Sequence, residues 1–126
     1  MRFHLSAAVL VTAFSLVYRL ERAQFGLLFF AIGLMIALEA VNTSIEWLTD
    51  LVSPEFHPIA GKVKDIAAGA VMVGALTAAA IGCLLFLQFP RFTDTLLLIL
   101  TSWRLPVFAV LLVGGVWFTF FYRPKW

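Results

Sequence analysis

The sequence carries little charge for its length. Lys, Arg, Asp and Glu together make up 13% of the 126 residues, whereas hydrophobic residues make up 63%. Soluble domains usually have about a quarter of their residues charged. A chain this short cannot bury so much apolar surface in an interior of its own. The composition therefore excludes an ordinary soluble domain and indicates a small membrane protein.

Cysteine and clusters of basic residues are also scarce. The single cysteine, Cys83, lies in an apolar segment and excludes an internal disulfide. The basic residues are scattered singly, so the sequence has no footprint of nucleic-acid binding. No small-residue cleavage site followed by a soluble domain comes after the apolar N-terminal segment, which therefore indicates a retained membrane helix rather than a signal peptide.

Four apolar segments are candidates for membrane crossing, because a spanning helix needs about 20 apolar residues, with a range of roughly 17–25. We expect them at residues 3–20, 25–51, 66–89 and 105–122. The second is long enough to project into water, and the third helix is expected to begin at Pro58 or Ile59. Residues 96–100 are apolar but short. The fold class predicted is all-α, a polytopic transmembrane helical bundle.

Small residues repeat every four positions in the third segment, at Ala70, Gly74, Ala78 and Gly82. This spacing lets helix backbones approach closely in lipid. We therefore expect one face of the third helix to pack tightly against a neighbouring helix.

Five of the seven acidic residues fall between positions 39 and 65. In a helix with 3.6 residues per turn, the second segment places its polar residues on one narrow stripe: Glu39, Asn42, Thr43, Glu46 and Asp50. A charged side chain inside a bilayer costs about 2.5–3.5 kcal/mol on insertion scales. A wet helix end accounts for Asp50 and in part for Glu46, but poorly for Glu39, so the stripe indicates a functional site.

The chemistry that suits this stripe is phosphoryl transfer at a membrane surface. Two carboxylates on one face can hold Mg²⁺ together with substrate phosphates, and one near the interface can act as a general base toward a lipid hydroxyl. The following loop adds Glu55 and His57, and the next helix adds Lys64 and Asp65. A lysine beside the metal can neutralise transferring phosphates.

The residues in this region resemble those of the prokaryotic diacylglycerol kinase and undecaprenol kinase family. The matching run is Glu39-Ala-Val-Asn42-Thr-Ser-Ile-Glu46, then Asp50, then Ser-Pro-Glu55-Phe-His57-Pro, then Lys64-Asp65-Ile-Ala-Ala-Gly-Ala-Val, without a gap in spacing. The resemblance covers about residues 2 to 89. It divides the chain into a membrane core at 1–90 and a C-terminal extension at 91–126 that contains the fourth segment.

The resemblance implies a homotrimeric integral membrane kinase that phosphorylates a lipid alcohol with ATP and Mg²⁺, at sites shared between subunits. By position it implies that Glu39 is the catalytic base and that Glu46 binds the metal and, through it, ATP. Asn42 and Asp50 are expected as supporting polar residues. The remaining nucleotide contacts implied are Glu55, Phe56 and His57 in the loop, with Lys64 and Asp65 on the phosphates and ribose.

Two further expectations come from the same resemblance. Family members have an amphipathic surface helix ending in a second metal-binding glutamate, whose position here would fall just ahead of Met1. For the sequence as written we therefore expect weakened Mg²⁺ binding and low activity. The run Val-Ser-Pro-Glu-Phe-His-Pro with Asp-Ile-Ala-Ala-Gly-Ala-Val is closer to the undecaprenol kinase branch, so undecaprenol is favoured as substrate over diacylglycerol.

The distribution of basic residues slightly favours a cytoplasmic Lys62 loop in a multi-pass protein of the bacterial inner membrane. Two other functions remain open from the sequence. One is a catalytically weakened or dead family member. The other is a small proton-coupled exporter, which would use a membrane glutamate but has no need of the polar loop residues.

Overall fold

The computed structural model describes residues 2–55 and 57–122, and this part of the chain is a bundle of five helices. They are α1 (Arg2–Tyr18), α2 (Arg22–Val52), α3 (Pro58–Phe86), α4 (Arg91–Thr101) and α5 (Arg104–Phe120). The predicted all-α helical bundle is confirmed.

Two helices, α2 and α3, are clearly long and apolar enough to cross a membrane, with 31 and 29 residues. The helices α1 and α5 have 17 residues each, which is the lower end of the range of roughly 17–25 for a spanning helix. The short apolar segment at 96–100 belongs to α4, which meets α5 at a bend of 94°. The fourth apolar segment is therefore helical. It forms α5, which is the second helix of the bent α4–α5 pair.

Four predicted helix ends are wrong by two or three residues, and one of them is that of α5, which ends at Phe120 rather than at residue 122. The first helix ends at Tyr18 because Arg19 has a φ of 57°, which turns the chain out of the right-handed helix. The second begins at Arg22 because Glu21 and Gln24 form a capping box there. The third ends at Phe86, and the N–H of Leu87 caps it on the carbonyl of Cys83.

The hairpin of α2 and α3 forms the most extensive helix pair of the described residues. Gly74 is buried at this contact, and a Cβ built there would clash with the side chain of Leu38 and lie 3.6 Å from Met35 Sδ. The tight packing predicted for the small-residue face of the third helix is thus found at Gly74. At Gly82, in contrast, a Cβ would meet nothing within 4 Å.

The end of the bundle where α1 stops is closed by aromatic packing. Tyr18 is buried and donates a hydrogen bond from its hydroxyl to the carbonyl of Phe86 at 3.1 Å. Arg91, at the start of α4, donates to the carbonyls of Tyr18 and Arg19 at 2.8 and 2.6 Å. The negative C-terminal end of the α1 dipole also stabilises the Arg91 cation at these carbonyls. This cluster fixes α4 to the end of α1.

The other end of α1 is held by α5. Ser6 Oγ donates to the carbonyl of Gly115 at 3.2 Å and lies 3.2 Å from Thr119 Oγ1. Arg2 hydrogen-bonds the carbonyl of Tyr122 and lies over the ring of Tyr122. The helix α1 is therefore packed between α2 and α5.

The close approach at Gly74 predicts the effect of adding a side chain. We expect Gly74→Val to lower the melting temperature of the detergent-solubilised protein, because the new methyl groups must displace Leu38 or separate α2 from α3. Gly33→Val is the matched control, since Gly33 lies in α2 with nothing within 4 Å of its Cβ position. Equal melting temperatures of the two variants would contradict the packing described.

Candidate functional site

The polar stripe predicted from the sequence lies along one face of α2. Glu39, Asn42, Thr43 and Glu46 are partly buried, and Asp50 is exposed. From Glu39 to Asp50 the stripe extends about 16 Å along the helix, at 1.5 Å per residue. That length suits an extended ligand better than a compact one. The described residues make three polar pairs along it.

The first pair joins Glu39 to His4 of α1. His4 Nδ1 lies 2.7 Å from Glu39 Oε1, and the pair is ionic when the imidazole is protonated. The side chains are 25% and 14% exposed, respectively, so most of their surface is shielded from solvent. His4 was not among the site residues predicted from the sequence. The available signal was a histidine near the start of an apolar helix that runs antiparallel to α2.

The second pair joins Asn42 to Glu46, one helical turn further along. Asn42 Nδ2 donates a hydrogen bond to Glu46 Oε1 at 2.8 Å, the i,i+4 spacing at which helix side chains meet. The other amide atom, Asn42 Oδ1, is buried and has no hydrogen-bond partner among the described residues. An amide oxygen beside a carboxylate is a donor set that suits a hard cation such as Mg²⁺.

This donor set is small. In the part of the chain that the structure describes, no group of three or more His, Cys, Asp or Glu side chains is placed to hold a metal ion. Mg²⁺ commonly takes one or two carboxylates and completes its shell with water and substrate phosphates. Glu46 and Asn42 therefore fit a Mg²⁺ ion that arrives with a phosphorylated substrate.

The third pair joins Asp50, near the end of α2, to Lys64 in the second turn of α3. Lys64 Nζ and Asp50 Oδ1 form a hydrogen-bonded ion pair. The side chain of Lys64 is 36% exposed and that of Asp50 is 65% exposed, so water reaches both. The α2–α3 hairpin thus brings a cation predicted to contact phosphates to the open end of the stripe.

The loop between α2 and α3 holds the other predicted nucleotide contacts. His57 is the N-cap of α3, where its Nδ1 accepts a hydrogen bond from the N–H of Ile59 at 3.3 Å. Glu55 is exposed, and its carbonyl accepts from Ser53 Oγ. Asp65 is exposed and lies one residue after Lys64, about 100° further around α3. Phe56 lies outside the described residues.

The helices and the stripe define a helical membrane protein with acidic side chains held on one spanning helix. Residues 1–86 match the family model of prokaryotic diacylglycerol kinase. This match covers more than half of the chain, and the protein belongs to the prokaryotic diacylglycerol kinase family. The family resemblance found in the sequence is confirmed.

Three relatives show how the similarity is distributed. The chain is 41% identical to the undecaprenol kinase of Bacillus subtilis over 86 residues, which is 68% of this chain and 70% of that protein. It is 40% identical to a diacylglycerol kinase of Helicobacter pylori over 53 residues, 42% of this chain and 41% of that protein.

The third relative is the diacylglycerol kinase of Escherichia coli K12, with 30% identity over 59 residues, 47% of this chain and 48% of that protein. The matches to these two diacylglycerol kinases thus span less than half of their length. No solved structure matches the chain.

The exposure of the Asp50–Lys64 pair predicts a small contribution to stability. Exposed ion pairs contribute about 0.2–1 kcal/mol in double-mutant cycles. We expect a cycle of Asp50→Asn and Lys64→Met, measured by unfolding in mixed micelles, to give a coupling free energy of no more than about 1 kcal/mol. A coupling several times larger would contradict the solvent-exposed geometry and indicate a structural role for the pair.

Proposed function

We propose that this protein is an ATP-dependent lipid kinase that phosphorylates a membrane lipid alcohol, with undecaprenol as the first candidate and diacylglycerol as the second. The observation that carries the proposal is the polar stripe on α2, which ends at the Asp50–Lys64 pair. Membership of the prokaryotic diacylglycerol kinase family supports it. The preference for undecaprenol is supported by the relative of that name, which is similar over 70% of its length.

Glu39 is assigned as the general base. Its side chain is mostly buried, and it belongs to a helix long enough to cross a membrane. Glu39 accepts the proton of the lipid hydroxyl as the hydroxyl oxygen attacks the γ-phosphorus of ATP. The bond from the γ-phosphorus to the bridging oxygen breaks, its electron pair leaves with ADP, and the proton stays on Glu39.

Lys64 is assigned to the phosphates. In the structure it is paired with Asp50 at the exposed end of the stripe, where a nucleotide can enter from water. Exchange of the Asp50 carboxylate for phosphate oxygens costs little because exposed ion pairs are weak. The lysine then offsets negative charge that builds up during transfer. Glu55, Phe56, His57 and Asp65 are assigned to the nucleotide, on their position in and after the loop.

Glu46 is the residue that would hold Mg²⁺, and Asn42 is the supporting polar residue that orients it. The ion supplies charge neutralisation of the phosphates when it is bound. The hydrogen bond from Asn42 fixes the rotation of the Glu46 side chain. It thereby presents the carboxylate in one orientation on the stripe, and Asp50 supports the same polar face.

The proposal includes the cellular setting. ATP is a cytoplasmic substrate, so the α2–α3 loop and Lys62 at the start of α3 face the cytoplasm, and the helices lie in the bacterial plasma membrane. The many exposed apolar side chains of α2 and α3, such as Leu51, Ile66 and Leu84, suit contact with lipid or with other subunits. A homotrimer with shared sites is the assembly that the family resemblance favours.

The assignment of Glu39 predicts a loss of phosphoryl transfer on neutralisation. We expect Glu39→Gln to reduce the turnover of undecaprenol or diacylglycerol with MgATP by about 10²–10⁴-fold, the usual contribution of a general base. Folding should be retained, because the amide has the same shape. The measurement is phosphate transfer from radiolabelled ATP to each lipid in mixed micelles.

Asp94→Asn is the matched control, because Asp94 is an exposed carboxylate on α4, away from the stripe. Its turnover should equal that of the unaltered protein. Full activity of Glu39→Gln would refute the base assignment. Failure of the unaltered protein to phosphorylate either lipid, despite native folding, would refute the proposed function.

The Asn42–Glu46 hydrogen bond predicts a change in metal dependence. We expect Asn42→Ala to raise the Mg²⁺ concentration needed for half-maximal activity by about 10–100-fold, as is usual for residues that orient a metal ligand. The turnover at saturating Mg²⁺ should fall much less. Thr77→Val, on an exposed position of α3, should leave the Mg²⁺ dependence as it is, and an unshifted curve for Asn42→Ala would contradict the assignment.

A further inference from the structure

We propose that His4 is a positioning residue for Glu39, and that α1 thereby takes part in the transfer reaction. The inference rests on the proposed function, since it concerns the residue assigned as base. No part of the family motif identified on α2 and α3 includes His4. The contact between α1 and α2 and the apolar surroundings of the imidazole support this role.

The contact is short and joins different helices. His4 Nδ1 lies 2.7 Å from Glu39 Oε1, an ion-pair contact whose angles do not meet those of a hydrogen bond, and the two residues are 35 positions apart. A glutamate side chain has three rotatable bonds, so an isolated carboxylate on a helix can take several orientations. A ring nitrogen fixed on α1 selects the orientation that places Oε1 against α1.

The surroundings of His4 leave its imidazole few alternatives. His4 borders a cavity of about 240 Å³ between α1, α2 and α3. Among the described residues that line this cavity, His4 has the single polar side chain, and the others are aliphatic, Met, Gly or Phe. An imidazole at an apolar wall gains from directing a nitrogen toward a carboxylate, because a polar contact is stronger where the local dielectric is low.

Position matters more for a general base than for most side chains. The base must lie within hydrogen-bonding reach of the proton that it removes, and a displacement of about 1 Å can cost roughly 10²-fold in rate. Loss of His4 should therefore slow the chemical step. It should leave nucleotide binding alone, because the residues assigned to the nucleotide lie at the other end of the stripe, around Lys64.

The test compares three variants of the full chain in mixed micelles. His4→Leu removes the nitrogen, whereas His4→Asn keeps a side-chain nitrogen at a position close to that of Nδ1. Val9→Ala is the matched control, on an exposed position of α1. For each we would measure kcat, the KM for MgATP and the melting temperature.

We expect His4→Leu to lower kcat by about tenfold or more with little change in the KM for MgATP. His4→Asn should recover most of the lost activity, and Val9→Ala should match the unaltered protein. An unchanged kcat in His4→Leu would overturn the proposal. So would a folded His4→Asn variant that is no more active than His4→Leu, because a positioning role requires the nitrogen.

A second readout separates this proposal from the proposed function. The melting temperatures of His4→Leu, Glu39→Gln and the double variant form a cycle that needs no activity. We expect the two losses to be non-additive, as is usual for residues in contact. If the unaltered protein phosphorylates no lipid, the proposed function fails, and additive losses in the cycle would then overturn the His4–Glu39 pairing independently.

Discussion

The main physical constraint on this structure is the free-energy cost of burying the Glu39 carboxylate inside an apolar helical bundle. A charged side chain at membrane depth is expensive, by about 2.5–3.5 kcal/mol on insertion scales, and Glu39 is only 14% exposed. His4 of α1 lies against this carboxylate, with its Nδ1 2.7 Å from Oε1. That placement requires α1 to run antiparallel to α2, and the buried cluster around Tyr18 at the far end of α1 fixes this arrangement.

The far end of the stripe is more exposed than the end near His4. Glu39 and Glu46 are partly buried, whereas the Asp50 side chain is 65% exposed. Electrostatic interactions weaken along the same direction as water replaces protein. In the proposed reaction this order has a use. The base works where a lipid headgroup can be shielded from water, and the cation meets the nucleotide where an ion pair can be exchanged cheaply.

The sequence predicts the parts of this arrangement that depend on local repetition. Hydrophobic runs locate the helices, and the 3.6-residue period places Glu39, Glu46 and Asp50 on one face. The family motif adds Lys64 and the loop. A local pattern does not predict which side chains of different helices contact each other. The His4–Glu39 contact depends on how helices distant in sequence pack together, which no periodicity encodes. The 94° bend between α4 and α5 occurs at the two-residue break at 102–103, and the apolar pattern does not specify its angle. The ends of α1 and α2 were missed for a smaller reason, namely the turn conformation of Arg19 and the capping box at Glu21.

The helix α5 holds α1 on the side opposite to the His4–Glu39 contact. In a helix, residues two positions apart point to nearly opposite sides, about 200° apart. On α1, Ser6 therefore faces away from His4, and it is Ser6 that hydrogen-bonds the carbonyl of Gly115 on α5. Arg2, on the same side as Ser6, reaches the carbonyl of Tyr122 just beyond α5. Because α1 is held by α5 on one side and meets Glu39 on the other, its rotation about its own axis is fixed. The helix α5 lies outside the region matched by the family model, yet it braces the helix that directs His4 at Glu39.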